Sequence, residues 1–523
     1  VVPTELNIAR FLAPVVPAWA LVNALAIVFH HRWKMYRLRF IHDHVLVCGL
    51  GRRGLELVRD FHGLGDRVVG IEVDEQNDHV RICRNLGITV LIGDANDSHM
   101  LEQAGAHRAK MVLCTAADDG QNIGIAIRNY DLTKRIGHPR TQPVQCFVHV
   151  VALKLCAMLE GYRVITQPRV GFEARIFNVY QNAARSLFYD HPLDFEAITQ
   201  ASHRNAELII VGFGKMGESV ALQASKIGHF ANRKPLKILI VDKSPGEFLR
   251  FQTRFPCFGE ICDVKFLHGE LEDEDVLDDI ARRAGNPDTL TSVAICLDGD
   301  TPGLFAALSI LARTEELNTP IYVRMAHEGG LATMLDASLS NWKWAYRVHA
   351  FGMTSLTCTK KMLMDDKLDR LAMEIHAVYM QIRESAIPPN DPSMMPWNKL
   401  DGDLKDSCRQ QADHIAVKLR AIGCYSSGKV VSDTPVAEFG EQEVEIMAIM
   451  EHSRWCAERR LAGWQPGPRQ PDEHTSPYFV DYDTLPEEVR DFNRESVRRL
   501  PRLLEAVGER IYRVASSPPE RTA

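Results

Sequence analysis

Two stretches of this chain carry the same alternation of apolar runs and amphipathic segments. Residues 44–61 read HVLVCGLGRRGLELVRDF: an apolar, β-branched run of strand length, a glycine-rich turn, then apolar positions at helical spacing. A second strand, RVVGIEVD, carries the acid Glu72 at its end, and a third, LIGDA, ends in Gly93-Asp94. A fourth, KMVLCTAADD, and a fifth, VQCFVHV, follow. From Ala206 the layout returns as AELIIVGFGKMGESVALQA, KILIVDKS ending at Asp242, FLHGE, SVAICLDGD and PIYVRM. Strands alternating with helical segments predict parallel sheets covered on both faces. The expected architecture is two Rossmann-like, doubly wound α/β domains, at 41–165 and 205–345.

Between them, VGFEARIFNVYQNAARSLF places Phe172, Ile176, Val179, Ala183 and Leu187 on one helical face, predicting a connecting helix within 166–204. Residues 366–520 change to helices rich in charge and tryptophan, punctuated by PPNDPSMMP and QPGPRQPDEH. This region is expected to be an all-α tandem repeat. Trp397 and Tyr482, Leu400 and Leu485, Asp406 and Asp491, Arg409 and Arg494, Ile415 and Leu500, Leu419 and Leu504, and Gly423 and Gly508 all lie 85 positions apart. A His–aromatic pair opens each half, His376/Tyr379 and His452/Trp455.

Residues 1–40 have another character. Phe11 to Phe29 carries no formal charge over a length that suits a membrane crossing. Arg32, Lys34, Arg37 and Arg39, with Trp33 and Tyr36, form a basic, aromatic flank of the cytoplasmic kind. A membrane helix in the cell inner membrane is therefore expected, with 41–523 on the cytoplasmic side. An apolar helix in a soluble core is the alternative.

Composition narrows the classes. A chain of 523 residues with 46% apolar and 25% charged positions is an ordinary folded protein of several domains. Net charge of −7 gives no global footprint for nucleic acid. The 12 cysteines are scattered without C-x-x-C spacing, which predicts neither a disulfide framework nor a metal site and favours core packing.

The glycine turns carry the candidate chemistry. Gly49 permits a tight turn, Gly51 lets backbone N–H groups approach a pyrophosphate, and Gly54 lets the helix sit close to the strand. Glu72, about twenty residues on, suits two ribose hydroxyls and disfavours a 2′-phosphate. NAD or an adenine nucleotide is thus expected over NADP. Gly212, Gly214, Gly217 and Asp242 repeat the set, whereas RFPCFGEICD departs from it, leaving the second site as either a ligand site or a structural copy. No H-E-x-x-H, G-x-S-x-G or nucleophile–base grouping is present, so no catalytic residue is assigned. An NAD-dependent oxidoreductase and a soluble nucleotide sensor remain the competing functions.

GLGRRG, Glu72, Gly93-Asp94-Ala95 and Asn122 together resemble the Trk-type K⁺-uptake regulatory domain, or RCK N-lobe, in two copies over 41–345. The resemblance implies binding of NAD(H), ADP, ATP or AMP and gating of a potassium channel or transporter. It places Gly49, Gly51, Arg52 and Gly54 at the phosphates, Glu72 at the ribose, and Asp94 and Thr115 on the adenine side. It also implies a homo-oligomer, a dimer or tetramer. With no T-V-G-Y-G filter, the pore is expected upstream or on a partner chain. EHSRWCAERRLAGW and the following YDTLPEEVRDFNRESVRRLPRLLEAVG resemble the ryanodine-receptor repeat, best over 438–511. Trp455, Trp464 and Tyr482, with Arg409, Arg454 and Arg494, are expected to line a cleft between its halves for a nucleotide-like anion. The alternative is that they pin helices together, Asp and Arg three apart pairing on one face.

Overall fold

The computed structural model describes residues 40–136, 142–152, 171–326, 346–364, 369–384, 391–429, 434–470 and 473–514, with a few isolated positions besides. They form two compact units. One holds the residues up to Val150 together with 171–177; the other holds Val151 and Ala152 and everything from Asn178 on.

The first unit is a six-stranded parallel sheet: β1 (Val45–Cys48), β2 (Val68–Glu72), β3 (Thr89–Ile92), β4 (Met111–Cys114), β5 (Val144–His149) and β6 (Phe172–Phe177). The spatial order is β3-β2-β1-β4-β5-β6. Strands β1 and β4 are continuous apolar runs because neither face of a central parallel strand meets water. Helices α1 (Arg52–Gly63), α2 (Asp78–Asn85), α3 (Ser98–Gln103) and α4 (Asp119–Ile136) link the strands. The order reverses between β1 and β4, which makes the C-terminal ends of those strands the crevice where such folds take ligands.

Strand β6 corrects the sequence reading. Residues 172–177 are not the start of a connecting helix but a strand registered on β5, Val144 opposite Phe172. Phe172, Ala174 and Phe177 face the core. The helix begins only at α5 (Val179–Asp190), where the Asn178 side chain accepts the Tyr180 and Gln181 N–H groups. The first domain therefore runs to Phe177.

The second unit repeats the sheet with β7 (Asn205–Val211), β8 (Lys237–Asp242), β9 (Asp263–His268), β10 (Thr289–Ile295), β11 (Ile321–Arg324) and β12 (Val348–Phe351). Its order, β9-β8-β7-β10-β11-β12, matches the first. Strand β12 lies beyond the expected end at residue 345. The connecting helices are α6 (Lys215–Ile227), α7 (Gly246–Arg254), α8 (Phe258–Ile261), α9 (Glu274–Ala284) and α10 (Asp300–Arg313). The irregular RFPCFGEICD supplies α8, whose Phe258 packs edge-on against Phe251.

The C-terminal region follows with α11 (Arg370–Arg383), α12 (Gly402–Asp413), α13 (Ile415–Ala421) and β13 (Cys424–Ser427). Then come α14 (Glu441–Leu461), α15 (Glu487–Arg498), α16 (Leu500–Ala506) and β14 (Arg510–Arg513). Each half thus shares the order helix, helix, helix, strand, and the second half adds a short parallel pair, Gln465–Pro466 with Thr475–Ser476, after its first helix. The region is helical but not wholly so, because β13 and β14 pair antiparallel. Gly423 and Gly508 adopt φ of 68° and 84° at the matching turns into those strands. Gln411 donates to Ser496, a contact between equivalent positions of the two halves.

This region is not a separate body from the second sheet. Val220, Ala224 and Ile227 of α6 share one buried cluster with Val417 and Ala421 of α13 and Met450 and Ala457 of α14. The expected boundary between 345 and 366 is a change of element type within one core.

Phe11–Phe29 falls almost wholly outside the described residues. Among the described residues no helix is long and apolar enough to cross a membrane. Of the 11 described cysteines, all but Cys257 and Cys408 are buried.

Candidate functional site

The first glycine turn sits at the reversal point of its sheet. Gly49 has φ of 94°, and a side chain there would strike the Ala116 backbone at 2.7 Å. Gly54 is the tightest point: a Cβ would lie 2.0 Å from the Gly49 carbonyl oxygen. Gly51 caps α1 in extended geometry with open space around it. The backbone N–H groups of the first turn of α1 therefore face outward, where a phosphate group can reach them.

Glu72 ends β2 beside this turn, only 8% exposed. Its Oε2 accepts the Leu50 N–H at 2.6 Å, and Oε1 accepts the Val73 and Asp74 N–H groups at 2.9 and 3.2 Å. A carboxylate oxygen takes two donors, so Oε2 keeps one acceptor position for a hydroxyl. Val73, next in sequence, is 71% exposed and offers an apolar surface at the same edge. Asp94 is exposed and accepts the Asn96 N–H. Arg52 is exposed on the first turn of α1.

Thr115 has another place than the resemblance implies. Its hydroxyl lies inside, 2.9 Å from the Gly49 carbonyl and 3.2 Å from that of Cys48, so it holds the turn from beneath. Asn122 is likewise internal: it accepts the Ala116 N–H and donates to the Ala116 and His149 carbonyls, knitting the ends of β4 and β5 together.

Two residues escape the sequence reading. Arg53, second in α1, donates from Nη1 to Nδ1 of His149 at 2.7 Å. His149 ends β5 fully buried, its ring edge-on to Phe177. Burial and the neighbouring Arg53 guanidinium push the imidazole down to about 3, so it is a neutral acceptor. The sequence carries no signal for the pair, because the second arginine of GLGRRG meets a partner 96 positions away.

The second turn keeps the backbone geometry. Gly212 has φ of 87°, a Cβ on Gly217 would lie 2.3 Å from the Gly212 carbonyl oxygen, and Gly214 caps α6. Asp242 accepts the Phe213 N–H at 2.7 Å, as Glu72 accepts that of Leu50. The surroundings differ. Met216 replaces Arg53 and is buried, and Glu218 is buried in the first turn of α6, held by both Nη atoms of Arg254 at 2.6 and 2.7 Å.

The six candidates of the C-terminal region do not converge on one cleft. Arg454 is 3% exposed and bound to Glu451 and Glu458 at 2.8 and 2.6 Å, with Lys418 on the far side of Glu451. Burial opposes ionisation of Glu451, but Arg454 and Lys418 hold its carboxyl well below the usual range. Arg494 binds Glu445, Glu487 and Asp491. Arg409 binds Asp369 at 2.6 Å and covers the Trp397 ring. Carboxylates of the same region thus hold the charges expected to bind a ligand: for Arg454 the partners are buried, because a buried guanidinium needs one, and for Arg494 two of the three lie on the surface. Tyr482 is buried, and burial with Glu445 nearby pushes its phenol up to about 12. Trp455 and Trp464 come together through Arg459, whose guanidinium stands 5.9 and 4.8 Å from their rings, and Trp455 and Tyr482 flank the His452 ring at 5.9 and 6.0 Å. His376 and His452 each donate to a carbonyl in equivalent places, Met395 and Val480.

A doubly wound sheet with a glycine turn and a strand-end acid at its reversal point defines a nucleotide-binding fold of regulatory or dehydrogenase type. Residues 45–136 match the TrkA-N domain, and residues 431–513 match the RyR domain. The chain is similar to potassium channel protein 1 of Methanocaldococcus jannaschii, 25% identical over 108 residues, which are 21% of this chain and 32% of that protein. It is also similar to the voltage-gated potassium channel Kch of Escherichia coli, 26% identical over 96 residues, 18% of this chain and 23% of Kch. The chain thus covers about a third or less of each relative's length. Among solved structures, that of GsuK bound to ADP aligns over 69% of this chain and 80% of its own, at 16% identity and a TM-score of 0.42.

Proposed function

We propose that this chain is the ligand-sensing, non-enzymatic part of a potassium channel or transporter. An adenine nucleotide or dinucleotide, of the set NAD(H), ADP, ATP and AMP, binds at the first glycine turn. The observation that carries this reading is Glu72 at the end of β2, 2.6 Å from the Leu50 N–H inside the Gly49–Gly54 turn. The TrkA-N match over the same residues, and relatives that are potassium channels, support it.

In this reading the α1 N-terminus and Arg52 hold phosphate oxygens, Glu72 accepts from the ribose, and Val73 and Asp94 border the adenine. The chain works as a homo-oligomer, a dimer or tetramer, anchored through residues 1–40 at the inner membrane with 41–523 in the cytoplasm. The pore lies upstream or on a partner chain. The C-terminal region clamps the second nucleotide fold, and no nucleic acid takes part. The oxidoreductase alternative is weaker because His149, the histidine at the β5 edge of the crevice, is buried and accepts from Arg53, which occupies the ring lone pair it would need to take a proton from a substrate.

Calorimetry of the full chain in detergent with NADH, NADPH, ADP and ATP tests the site. Binding of at least one adenine ligand, with NADPH weakest, is expected; binding of none overturns it. Recovery of the chain from the aqueous fraction without detergent overturns the membrane anchor alone.

A further inference from the structure

The crevice of the first sheet is not equally open on its two sides. A dinucleotide with its pyrophosphate on the α1 N-terminus and one ribose at Glu72 must send its second nucleotide across the reversal point, toward the ends of β4 and β5. Arg53 and His149 meet there, 2.7 Å apart, and Asn122 fixes the His149 carbonyl at 3.0 Å. We infer that the Arg53–His149 bridge closes that half of the crevice and restricts the site to an adenine mononucleotide with two or three phosphates. The inference rests on the nucleotide reading above and specifies its ligand.

Three further observations support it. The first turn of α1 contains no acid, and among the described residues neither Arg52 nor Arg53 has a carboxylate within ion-pair distance. Two cations at the positive end of a helix dipole repel it, an arrangement that terminal phosphates would relieve. Because His149 is neutral, its bond to Arg53 leaves the guanidinium charge uncancelled. Finally, the second copy carries Met216 where Arg53 stands, buried at 3% exposure, so the glycine turn itself does not require a charge there.

Titration of the full chain with ADP, ATP and NADH decides it, with Arg53→Met and Arg53→Lys as variants. ADP or ATP should bind at least about tenfold tighter than NADH, and Arg53→Met should close that ratio by about tenfold, chiefly by weakening the di- and triphosphate. Arg53→Lys, which keeps the charge but not the guanidinium whose Nη1 meets His149, should keep most of the ATP affinity while admitting NADH. NADH binding as tightly as ADP to the unaltered chain, or a loss equal for both ligands in either folded variant, overturns the restriction and leaves the nucleotide reading standing. Binding of neither ligand overturns both.

Discussion

Arg185 of α5 forks onto Asp413 of α12, two residues 228 positions apart: Nε and Nη2 each lie 2.9 Å from a carboxylate oxygen. The same guanidinium reaches Asp369 through Nη1 at 2.8 Å. Around this fork, Gln223 donates to Asp413, Lys226 pairs with Asp406, and Arg420 pairs with Asp194. The two halves of the duplication differ here. In the second half Asp491 and Arg494 pair on their own helix, whereas in the first half Asp406 is drawn to Lys226 and Arg409 to Asp369. The second half holds this pair on one helix; in the first half Asp406 reaches the second nucleotide fold through Lys226, while Arg409 stays within the C-terminal region on Asp369. Helix α6, which starts at that fold's glycine turn, carries Gln223 and Lys226 near its other end. Any shift of α6 is therefore felt by the C-terminal region, the physical condition for coupling two sites.

Removing Arg185 leaves Asp369 and Asp413 in a largely buried setting without their shared cation. Arg185→Met should cost about 3–5 kcal/mol in urea unfolding, the usual loss when one partner of a buried pair is removed. Adding Asp413→Asn should recover part of it. A purely additive double variant would show that the fork is not energetically coupled.

The glycines give a sharper contrast. Gly54→Ala puts a methyl group 2.0 Å from the Gly49 carbonyl oxygen, so the turn must open, whereas Gly51→Ala meets nothing within 4 Å. Gly54→Ala should abolish nucleotide binding and lower stability by about 2 kcal/mol or more, as overpacked sites do. Gly51→Ala should keep the fold and change stability by less than about 1 kcal/mol. Circular dichroism melts with calorimetry check both, and equal behaviour of the two would refute the geometry.

Glu72 serves the turn and the ligand together. Glu72→Gln loses the charge and one of the two oxygens that accept the Leu50, Val73 and Asp74 N–H groups, and should weaken the preferred adenine ligand by about 1–3 kcal/mol. It should also raise NADPH relative to NADH, because the repulsion of a 2′-phosphate goes with the charge. A variant that weakens both by the same factor would assign Glu72 to the turn alone.

The sheets were legible in the sequence because central parallel strands are short apolar runs and their glycine turns recur in the same places. The sixth strand was not. FEARIF places Phe172 and Ile176 four apart, as a helix would, yet also Phe172 and Ala174 two apart, as a strand does; over six residues the two periods cannot be told apart. Asn178, a helix cap, was the overlooked boundary. The C-terminal duplication was legible from a constant offset, but the destination of its arginines was not. Arg409 and Arg494 occupy equivalent positions and take different partners, and only the fold brings Asp369 to one and Glu445 to the other. Arg53 was hidden for a similar reason: its partner, His149, lies 96 residues away.

The buried His149 makes a pH prediction whose sign follows from linkage. Its folded value, pushed down to about 3, lies below the ordinary 6.5, so the unfolded chain binds a proton before the folded one does. The bond to Arg53 is fully present above pH 6.5, and the stability it brings is lost as pH falls from 6.5 toward 3. The slope for one such group is at most about 1.4 kcal/mol per pH unit, on the order of 3 kcal/mol between pH 6.5 and 4. Other buried histidines add to the same trend, His229 among them, pushed down to about 4 by burial and Arg454. The test is therefore a difference between two chains. His149→Gln keeps an acceptor for Arg53 but cannot be protonated, so its unfolding free energy should fall less steeply than that of the parent between pH 6.5 and 4.5, an interval above the range in which paired carboxylates titrate. Parallel profiles would mean that His149 is solvated or protonated in the folded chain, and the neutral bridge to Arg53 would have to be abandoned.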